Sequence, residues 1–356
     1  MSLLSQFFPS GGGGSNIHLE LLAVSGGGGT GGGPNSFGNF IIFRAGAGGG
    51  GAAYQGMLKV APGSTVPITI GAGGAANPTS PCSGSRGGDT VVKYPEGTIR
   101  VMGGGGGLGA NQTALDPASP AHGGTGGGGG CFNKGMSTNC NFYMFNGPPS
   151  NETTKEAIIN RATGRSIYAK GNVQNITWRT NSAPTMCLFF QQEWNGTTMS
   201  PYGDGAFYGA PGNLMFNNIG NPSSCHRIFP GSGGGGAGGQ GFMVAQCCSP
   251  FNGLTEVAGP GIFTEMTGTM EEFGRGGINS NPTIPNTCLE SPANSGQGGS
   301  NKEGGNLQAG GSGVVIIRYP TDFAAAPSSP GATDCSPATP GYRTYRFNSS
   351  GSITLP

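Results

Sequence analysis

The sequence predicts an all-β fold with little helix, in which short antiparallel hairpins in a sandwich-like arrangement combine with packed polyglycine segments of the polyproline-II type. Three observations predict it. Glycine supplies 75 of the 356 residues. The glycines are gathered into short runs that follow segments with strand character, as after Val24, Ile70 and Met102. Helical signals are almost absent, so strands and glycine runs must build the fold.

The first half of the chain contains four segments with strand character. Residues 17–24 (IHLELLAV) form the first, and residues 37–43 (FGNFIIF) predict a buried strand because they are aromatic and β-branched. Residues 55–74 predict a hairpin that turns at Pro62-Gly63, and residues 89–107 repeat this plan around Pro95-Glu96-Gly97.

Further strands are predicted near the end of the chain. Residues 313–319 (GVVIIRY) have the composition of a buried strand, and residues 342–356 predict a hairpin that turns over residues 348–351. The one helical segment is TKEAIINRATG, residues 154–164, which Gly164 would end.

The glycine runs raise a physical question, because glycine loses the most conformational freedom on ordering and buries no side chain. Polyproline-type helices of glycine can lie unusually close together and exchange N–H···O bonds, so the core would be made of backbone. Flexible linkers are the alternative. The structural glycines of the packed hypothesis are Gly26, Gly27, Gly28, Gly29, Gly103, Gly104, Gly105, Gly106, Gly107, Gly126, Gly127, Gly128, Gly129 and Gly130.

Composition shifts divide the chain into five parts. Residues 1–15 are expected to be an N-terminal docking segment and residues 16–130 a glycine-rich β region. Residues 131–230 contain both tryptophans and no glycine run, so they are interpreted as an inserted Cys/aromatic region. Residues 231–320 resume the glycine-rich plan, and residues 321–356 are a linker with the C-terminal hairpin.

Charge and hydropathy exclude several classes of function. The net charge is +1 and 9% of the residues are charged, so neither nucleic acid nor an anionic membrane is expected as a partner. No apolar segment approaches the roughly 18 residues of a membrane span, so no membrane insertion is expected. The N-terminus lacks a basic region and is broken by Pro9, which argues against a cleaved signal peptide.

Neither metal binding nor catalysis is expected. The nine cysteines contain no Cys-x-x-Cys pair, and the three histidines have no metal-ligand spacing. Cys131 and Cys140 could close a loop, but the pairing is not fixed by the sequence. No Gly-Lys-Ser/Thr follows a glycine run, and no histidine lies in a nucleophile or general-base motif. No cofactor is therefore expected, and the protein is predicted not to be an enzyme.

Three stretches carry a resemblance to a known family. LLAVSGGGGTGGG, MLKVAPGSTVPITIGAGGAA and GGSGVVIIRYP resemble glycine-rich structural and tail-fibre proteins of tailed bacteriophages, in particular those of T-even-like cyanophages. The start MSLLSQFFPSGGGG and the end YRTYRFNSSGSITLP are similar to the ends of such proteins. The resemblance covers about residues 1–130 and 231–356, and the insertion 131–230 lies outside it.

The resemblance implies an exposed component of a virion, with glycine runs as scaffold and connecting loops as the surface that contacts the host. The most specific hypothesis is a tail fibre or adhesin that binds a host surface glycan or protein. Its candidate receptor-binding residues are aromatic side chains of the insertion, which can stack on sugar rings. They are Trp178, Trp194, Tyr202, Phe207 and Tyr208. These aromatics could equally form a small core of the insertion itself.

Two other functions remain open at this point. A capsid decoration or other passive virion protein would also have little charge and no chemical site. A secreted glycine-rich matrix protein would suit the five Asn-x-Ser/Thr sequons, although these are common by chance in such a composition. The expected partners are other virion proteins and further copies of this chain in a homo-oligomer. The expected location is the surface of an extracellular particle.

Overall fold

The protein is described by a computed structural model. The residues that it describes are 16–32, 41–43, 46–78, 83–95, 97–107, 109, 132–133, 139–144, 159–160, 165–166, 174–179, 197–199, 205–208, 227–229, 233–238, 242–244, 255–278, 292–302 and 306–356.

Strands and glycine runs account for most of these residues, and the one helical element among them is a short 3₁₀ helix at Ser336–Ala338. The strands are β1 (Ile17–Val24), β2 (Ile41–Phe43), β3 (Ala53–Val60), β4 (Thr65–Thr69), β5 (Thr90–Tyr94), β6 (Gly97–Val101), β7 (Phe132–Asn133), β8 (Asn139–Met144), β9 (Ile159–Asn160), β10 (Arg165–Ser166), β11 (Gln174–Arg179), β12 (Thr197–Met199), β13 (Gly205–Tyr208), β14 (Arg227–Phe229), β15 (Phe242–Val244), β16 (Thr255–Val257), β17 (Ile262–Thr264), β18 (Glu271–Phe273), β19 (Asn301–Lys302), β20 (Asn306–Leu307), β21 (Val314–Pro320), β22 (Ala332–Asp334), β23 (Tyr342–Phe347) and β24 (Gly351–Thr354).

Two sheets form the main body. The larger has seven strands in the order β12-β13-β3-β1-β21-β23-β22, and the smaller has four in the order β24-β4-β5-β6. The pairs within both sheets are antiparallel, and β14 with β2 is a parallel pair outside them. The predicted all-β class with antiparallel sheets and almost no helix is therefore confirmed.

A sandwich core lies between the two sheets. The inward residues of β1 alternate along the strand, as a strand with one face on a core requires. Leu19 and Leu21 are fully buried there, and they pack in one cluster with Val66 of β4, Val92 of β5 and Ile353 of β24. These side chains supply the apolar burial that the glycine runs cannot.

The other face of the larger sheet is apolar only in the half next to the glycine runs. Leu22, Val24 and Ile316 lie on that half, and a hairpin of β17 and β18 contributes Phe273 to the same buried cluster. This second cluster explains why β1 is buried on both faces at its C-terminal end.

The predicted hairpin over residues 55–74 is wrong in its pairing. The strands and the turn are present, and Gly63 has a positive φ of 75°. However, β3 pairs with β1 in the large sheet, whereas β4 pairs with β24 and β5 in the small sheet. The segment Pro62-Gly63 is therefore a corner between the sheets of the sandwich.

The predicted C-terminal hairpin is wrong for the same reason. β23 pairs with β21 and β22 of the large sheet, and β24 pairs with β4 of the small sheet. The chain thus crosses from the large sheet to the small sheet twice, from β3 to β4 and from β23 to β24. In the small sheet β4 and β24 lie side by side. A crossing of this kind lets each strand bury one face against the opposite sheet.

Other predicted elements are confirmed. β5 and β6 form the hairpin predicted over residues 89–107, β1 occupies residues 17–24, and β21 is a fully buried central strand from Val314 to Ile317. The helix predicted over residues 154–164 is wrong at Ile159–Asn160, which is a strand paired with β10.

Candidate functional site

Ten described segments outside the strands contain most of the described glycines, and together they form what we call the glycine bundle. In chain order they are run 1 (25–32), run 2 (46–52), run 3 (71–78), run 4 (83–89), run 5 (102–107), run 6 (233–238), run 7 (258–261), run 8 (274–278), run 9 (295–300) and run 10 (308–313).

Run 1 donates its backbone N–H groups to three neighbouring runs in strict rotation. The acceptors belong to run 2, run 4 and run 10 in turn, with N···O distances between 2.6 and 3.2 Å throughout the bundle. A repeat of three residues is that of a helix with three residues per turn. The bonds are Ser25 to Ala52, Gly26 to Gly88, Gly27 to Gly311, Gly28 to Gly49, Gly29 to Ser85, Thr30 to Gln308 and Gly31 to Gly46.

The carbonyl groups of run 1 accept hydrogen bonds with the same repeat from three other runs. The donors belong to runs 5, 3 and 9, so run 1 has six neighbouring runs. These six are also bonded to one another in a closed ring. The ring bonds include Gly49 to Gly105, Gly84 to Gly107, Ser85 to Ala75, Gly310 to Gly74, Gly311 to Gln297 and Gly48 to Gly299.

A second layer extends the bundle on one side of this ring. Runs 6, 7 and 8 are bonded to one another, and they join the ring through runs 2 and 9. Gly277 donates to the Gly48 carbonyl at 2.8 Å, and Gly50 donates to the Gly235 carbonyl at 2.8 Å. The described glycine runs are thus ordered parts of one hydrogen-bonded body.

Close approach explains why these positions are glycine. A Cβ atom on Gly26, Gly27, Gly28 or Gly29 would lie within 3.0 Å of a carbonyl oxygen of another run. The same is true of Gly103, Gly104, Gly106 and Gly107. Since backbone cannot move aside as a flexible side chain does, any larger residue would push two runs apart.

Hydroxyl groups join the bundle to the sandwich. Ser25, the first residue of run 1, donates through Oγ to the Met102 carbonyl at 2.5 Å and lies 3.2 Å from the Ala52 carbonyl. Thr90 Oγ1 donates to the Val24 carbonyl at 2.9 Å and accepts from the Gly71 N–H at 3.0 Å. These side chains satisfy backbone groups at the point where the ladder of a sheet gives way to runs.

A charged group has a similar role beside them. Asp89 accepts hydrogen bonds from Arg86 Nη2 at 2.6 Å, from Arg100 Nε at 2.7 Å and from the Gly103 N–H at 2.9 Å. Its carboxylate therefore links the end of run 4 to the start of run 5 and to β6. Because the side chain is largely buried, these charge-assisted bonds are strong ones.

The bundle has two different ends. Its sandwich end is where the runs meet strands, as at Val24. Its opposite end, called the distal end below, holds the other termini of runs 1–5, 9 and 10, which are bonded to one another near Gly31, Gly107 and Gln308. Three connecting segments leave and return at the distal end: residues 33–45, 79–82 and 301–307. A fourth, residues 108–232, leaves it after run 5 and leads to run 6 of the second layer, and its strand β13 lies in the large sheet.

A family model described as a glycine-rich domain matches residues 13–320. The chain belongs to the glycine-rich domain family. The match covers most of the chain, including residues 131–230. No curated protein and no solved structure matches the chain.

In this glycine-rich domain, the side chains of all five predicted receptor-binding residues fall outside the described ones. Trp178 lies on β11, and Phe207 and Tyr208 lie on β13, which pairs with β3 at the edge of the large sheet. Trp194, Tyr202 and Gly126–Gly130 lie outside the described residues. The backbone of Phe207 and Tyr208 is therefore beside the sandwich and not at the distal end.

The spacing of glycine and alanine along a run indicates which of its sides faces the bundle, which the sequence analysis above does not use. Along run 3, Gly71 and Gly74 are buried while Ala72 and Ala75 are exposed. A glycine at every third position is the pattern of a threefold helix with one inward side. This repeat predicts which runs lie at the surface of the bundle.

Titratable groups with shifted pKa values lie in the sandwich. Burial raises the pKa of the Tyr319 phenol, with a further contribution from its hydrogen bond to Tyr345. The hydroxyl and N–H of Ser336 lower the pKa of Asp334, and burial raises the pKa of the Cys335 thiol. In the described part of the chain, no cluster of His, Cys, Asp or Glu could hold a metal ion. No described helix is long and apolar enough to span a membrane.

Proposed function

We propose that this glycine-rich domain protein is a non-enzymatic component of a phage virion, a tail fibre or adhesin that presents host-contact segments on a stiff scaffold. The observation that carries the proposal is the polarity of the molecule. Three connecting segments begin and end at the distal end and a fourth begins there, whereas β1 begins at the opposite end of the sandwich. A structure of this polarity suits attachment at one end and contact at the other.

The scaffold part of the proposal rests on the hydrogen bonding of the bundle. Each run is held by backbone bonds to several neighbours, and these bonds involve no side chain of the connecting segments. A change in a connecting segment therefore leaves the bonds of the bundle in place. Such separation between a fixed support and its loops is common where loops carry recognition.

The sandwich end offers a place for attachment. Gly63 donates to the Leu355 carbonyl at 3.1 Å and Leu355 donates to the Ser64 carbonyl at 3.0 Å, so the C-terminal strand ends beside the corner at Pro62-Gly63. Ile17 pairs with Val60 at the same end. The segment 1–15, for which we propose a docking role, therefore joins the described chain at the end of the sandwich away from the glycine bundle.

The proposal is tested by competition for adsorption. Purified full-length protein is added to host cells before the phage that encodes the chain, and free phage are counted. We expect the protein to reduce adsorption, and the variant Trp178→Ala with Trp194→Ala to reduce it less. The matched control is Ala309→Ser, a change at an exposed position, which should compete like the natural protein.

Localisation on the particle decides between adhesin and passive virion protein. Cryo-electron microscopy of the particle should place the chain at the tail or a fibre tip. Density at capsid lattice points together with no competition would instead favour a decoration protein. Absence of the chain from purified particles would overturn the virion proposal and favour a secreted matrix protein.

A further inference from the structure

One side of the ring around run 1 is lined by side chains. Runs 3, 4 and 10 form this side, and Ala72, Ala75, Ser85 and Ala309 are exposed on it. Ala72 and Ala75 are three residues apart, so they lie on the same side of a helix with three residues per turn. Among the described residues no further run is bonded to the outside of this face.

The other side of the same ring is lined by glycine, and there a second layer packs. A Cβ atom on Gly50 of run 2 would approach the Gly274 and Arg275 carbonyl oxygens of run 8 within 3.0 Å. From the second layer, a Cβ atom on Gly277 would meet the Gly299 carbonyl, and one on Gly234 would meet the Gly48 carbonyl. At these glycine positions the two layers thus approach more closely than Cβ atoms would allow.

The two sides provide an internal comparison. They belong to one ring, but they differ in whether their outward positions carry a Cβ atom. An outer run presents N–H and C=O groups in a regular row, which is a template for another chain in the way that the edge strand of a sheet is. A methyl group on every turn holds a second run too far away for N–H···O bonds.

We propose that the Cβ atoms of Ala72 and Ala75, on the middle run of this face, close the bundle against the glycine runs of a second copy of the chain. Two copies that lacked these atoms would associate through the same face, as an isologous pair related by a twofold axis. The proposal concerns self-association alone and is independent of the proposed function.

The experiment removes two methyl groups and measures molar mass in solution. The full-length double variant Ala72→Gly with Ala75→Gly is compared with the natural protein by size-exclusion chromatography with light scattering over a range of concentrations. We expect the mass of the glycine variant to double relative to the natural protein. The matched control, Ala72→Ser with Ala75→Ser, keeps both Cβ atoms and should have the mass of the natural protein.

Circular dichroism establishes that the double variant is folded. If it is not folded, the single variant Ala75→Gly replaces it, with Ala75→Ser as its control, and a rise in molar mass with concentration is then the expected result. Hydrogen exchange should also show slower exchange of amides on runs 3 and 10 in the associated form. A folded glycine variant with the mass of the natural protein, or equal association of the serine control, would overturn the proposal.

Discussion

The Thr90 hydroxyl oxygen lies 2.9 Å from the carbonyl oxygen of Val24, the last residue of β1, and donates a hydrogen bond to it. The same hydroxyl accepts the Gly71 N–H, which begins run 3. Thr90 is fully buried, so neither backbone group can turn to water. One side chain thus satisfies two backbone groups at the junction of the sandwich and the bundle.

This relationship predicts the effect of Thr90→Val. Valine has nearly the shape of threonine but removes the acceptor of the Gly71 N–H and the hydroxyl bond to the Val24 carbonyl. We expect a loss of about 2 kcal/mol in the free energy of unfolding, because unsatisfied buried groups cost about 1–3 kcal/mol. Urea unfolding measures it. Thr90→Ser keeps the hydroxyl and should lose less, whereas a Thr90→Val variant as stable as the natural protein would mean that the hydroxyl does not contribute.

The backbone packing of run 1 predicts a larger effect for Gly28→Ala. The added Cβ atom would overlap the Gly105 carbonyl. Gly28 lies on the central run, and Gly105 lies on run 5 of the surrounding ring. Overpacking against backbone is expected to cost about 3 kcal/mol of the free energy of unfolding. Ala72→Ser is the matched control, because its side chain is exposed, and should change this free energy by less than about 0.5 kcal/mol. A Gly28→Ala variant as stable as the natural protein would contradict the described packing.

The fold shows which information the local sequence holds. The segments at β1, β21 and the β5–β6 hairpin are predictable because hydrophobic pattern and turn chemistry are local. At Pro62-Gly63 the turn is also predictable, but the partner of the next strand is not. The choice between a hairpin and a corner depends on β24, which lies almost 300 residues away along the chain.

The candidate site was predictable in kind but not in arrangement. The positions of Gly26–Gly29 and Gly103–Gly107 directly after strands indicate that these runs are structural. Their neighbours cannot be deduced in the same way, because backbone bonds between glycines carry no side-chain code. Gly26, for example, donates to Gly88 and accepts from Gly104, and nothing in the three residues distinguishes them from other glycines.

The Asp89 carboxylate predicts an electrostatic contribution to the junction of run 4 and run 5. In Asp89→Asn the ion pairs with Arg86 and Arg100 are lost, and the Gly103 N–H has a weaker acceptor. We expect a loss of about 2 kcal/mol in the free energy of unfolding, since hydrogen bonds to charged groups contribute about 1.5–3 kcal/mol. Asp322→Asn, at an exposed position, is the control. Equal losses in both variants would mean that the Asp89 carboxylate does not stabilise the junction of run 4 and run 5.

Burial of Tyr319 predicts how stability depends on alkaline pH. In the unfolded chain its phenol ionises near a pKa of about 10, whereas burial and the hydrogen bond to Tyr345 raise the pKa in the folded protein. The stabilisation due to this shift is therefore fully present below about pH 10 and is lost as the pH rises further, by about 1.4 kcal/mol per pH unit. Urea unfolding between about pH 9 and 11 measures this slope. Tyr319→Phe removes the one proton that this phenol binds, and it should reduce the slope accordingly. If Tyr319→Phe leaves the slope unchanged, the phenol of Tyr319 is not the group that links folding to pH.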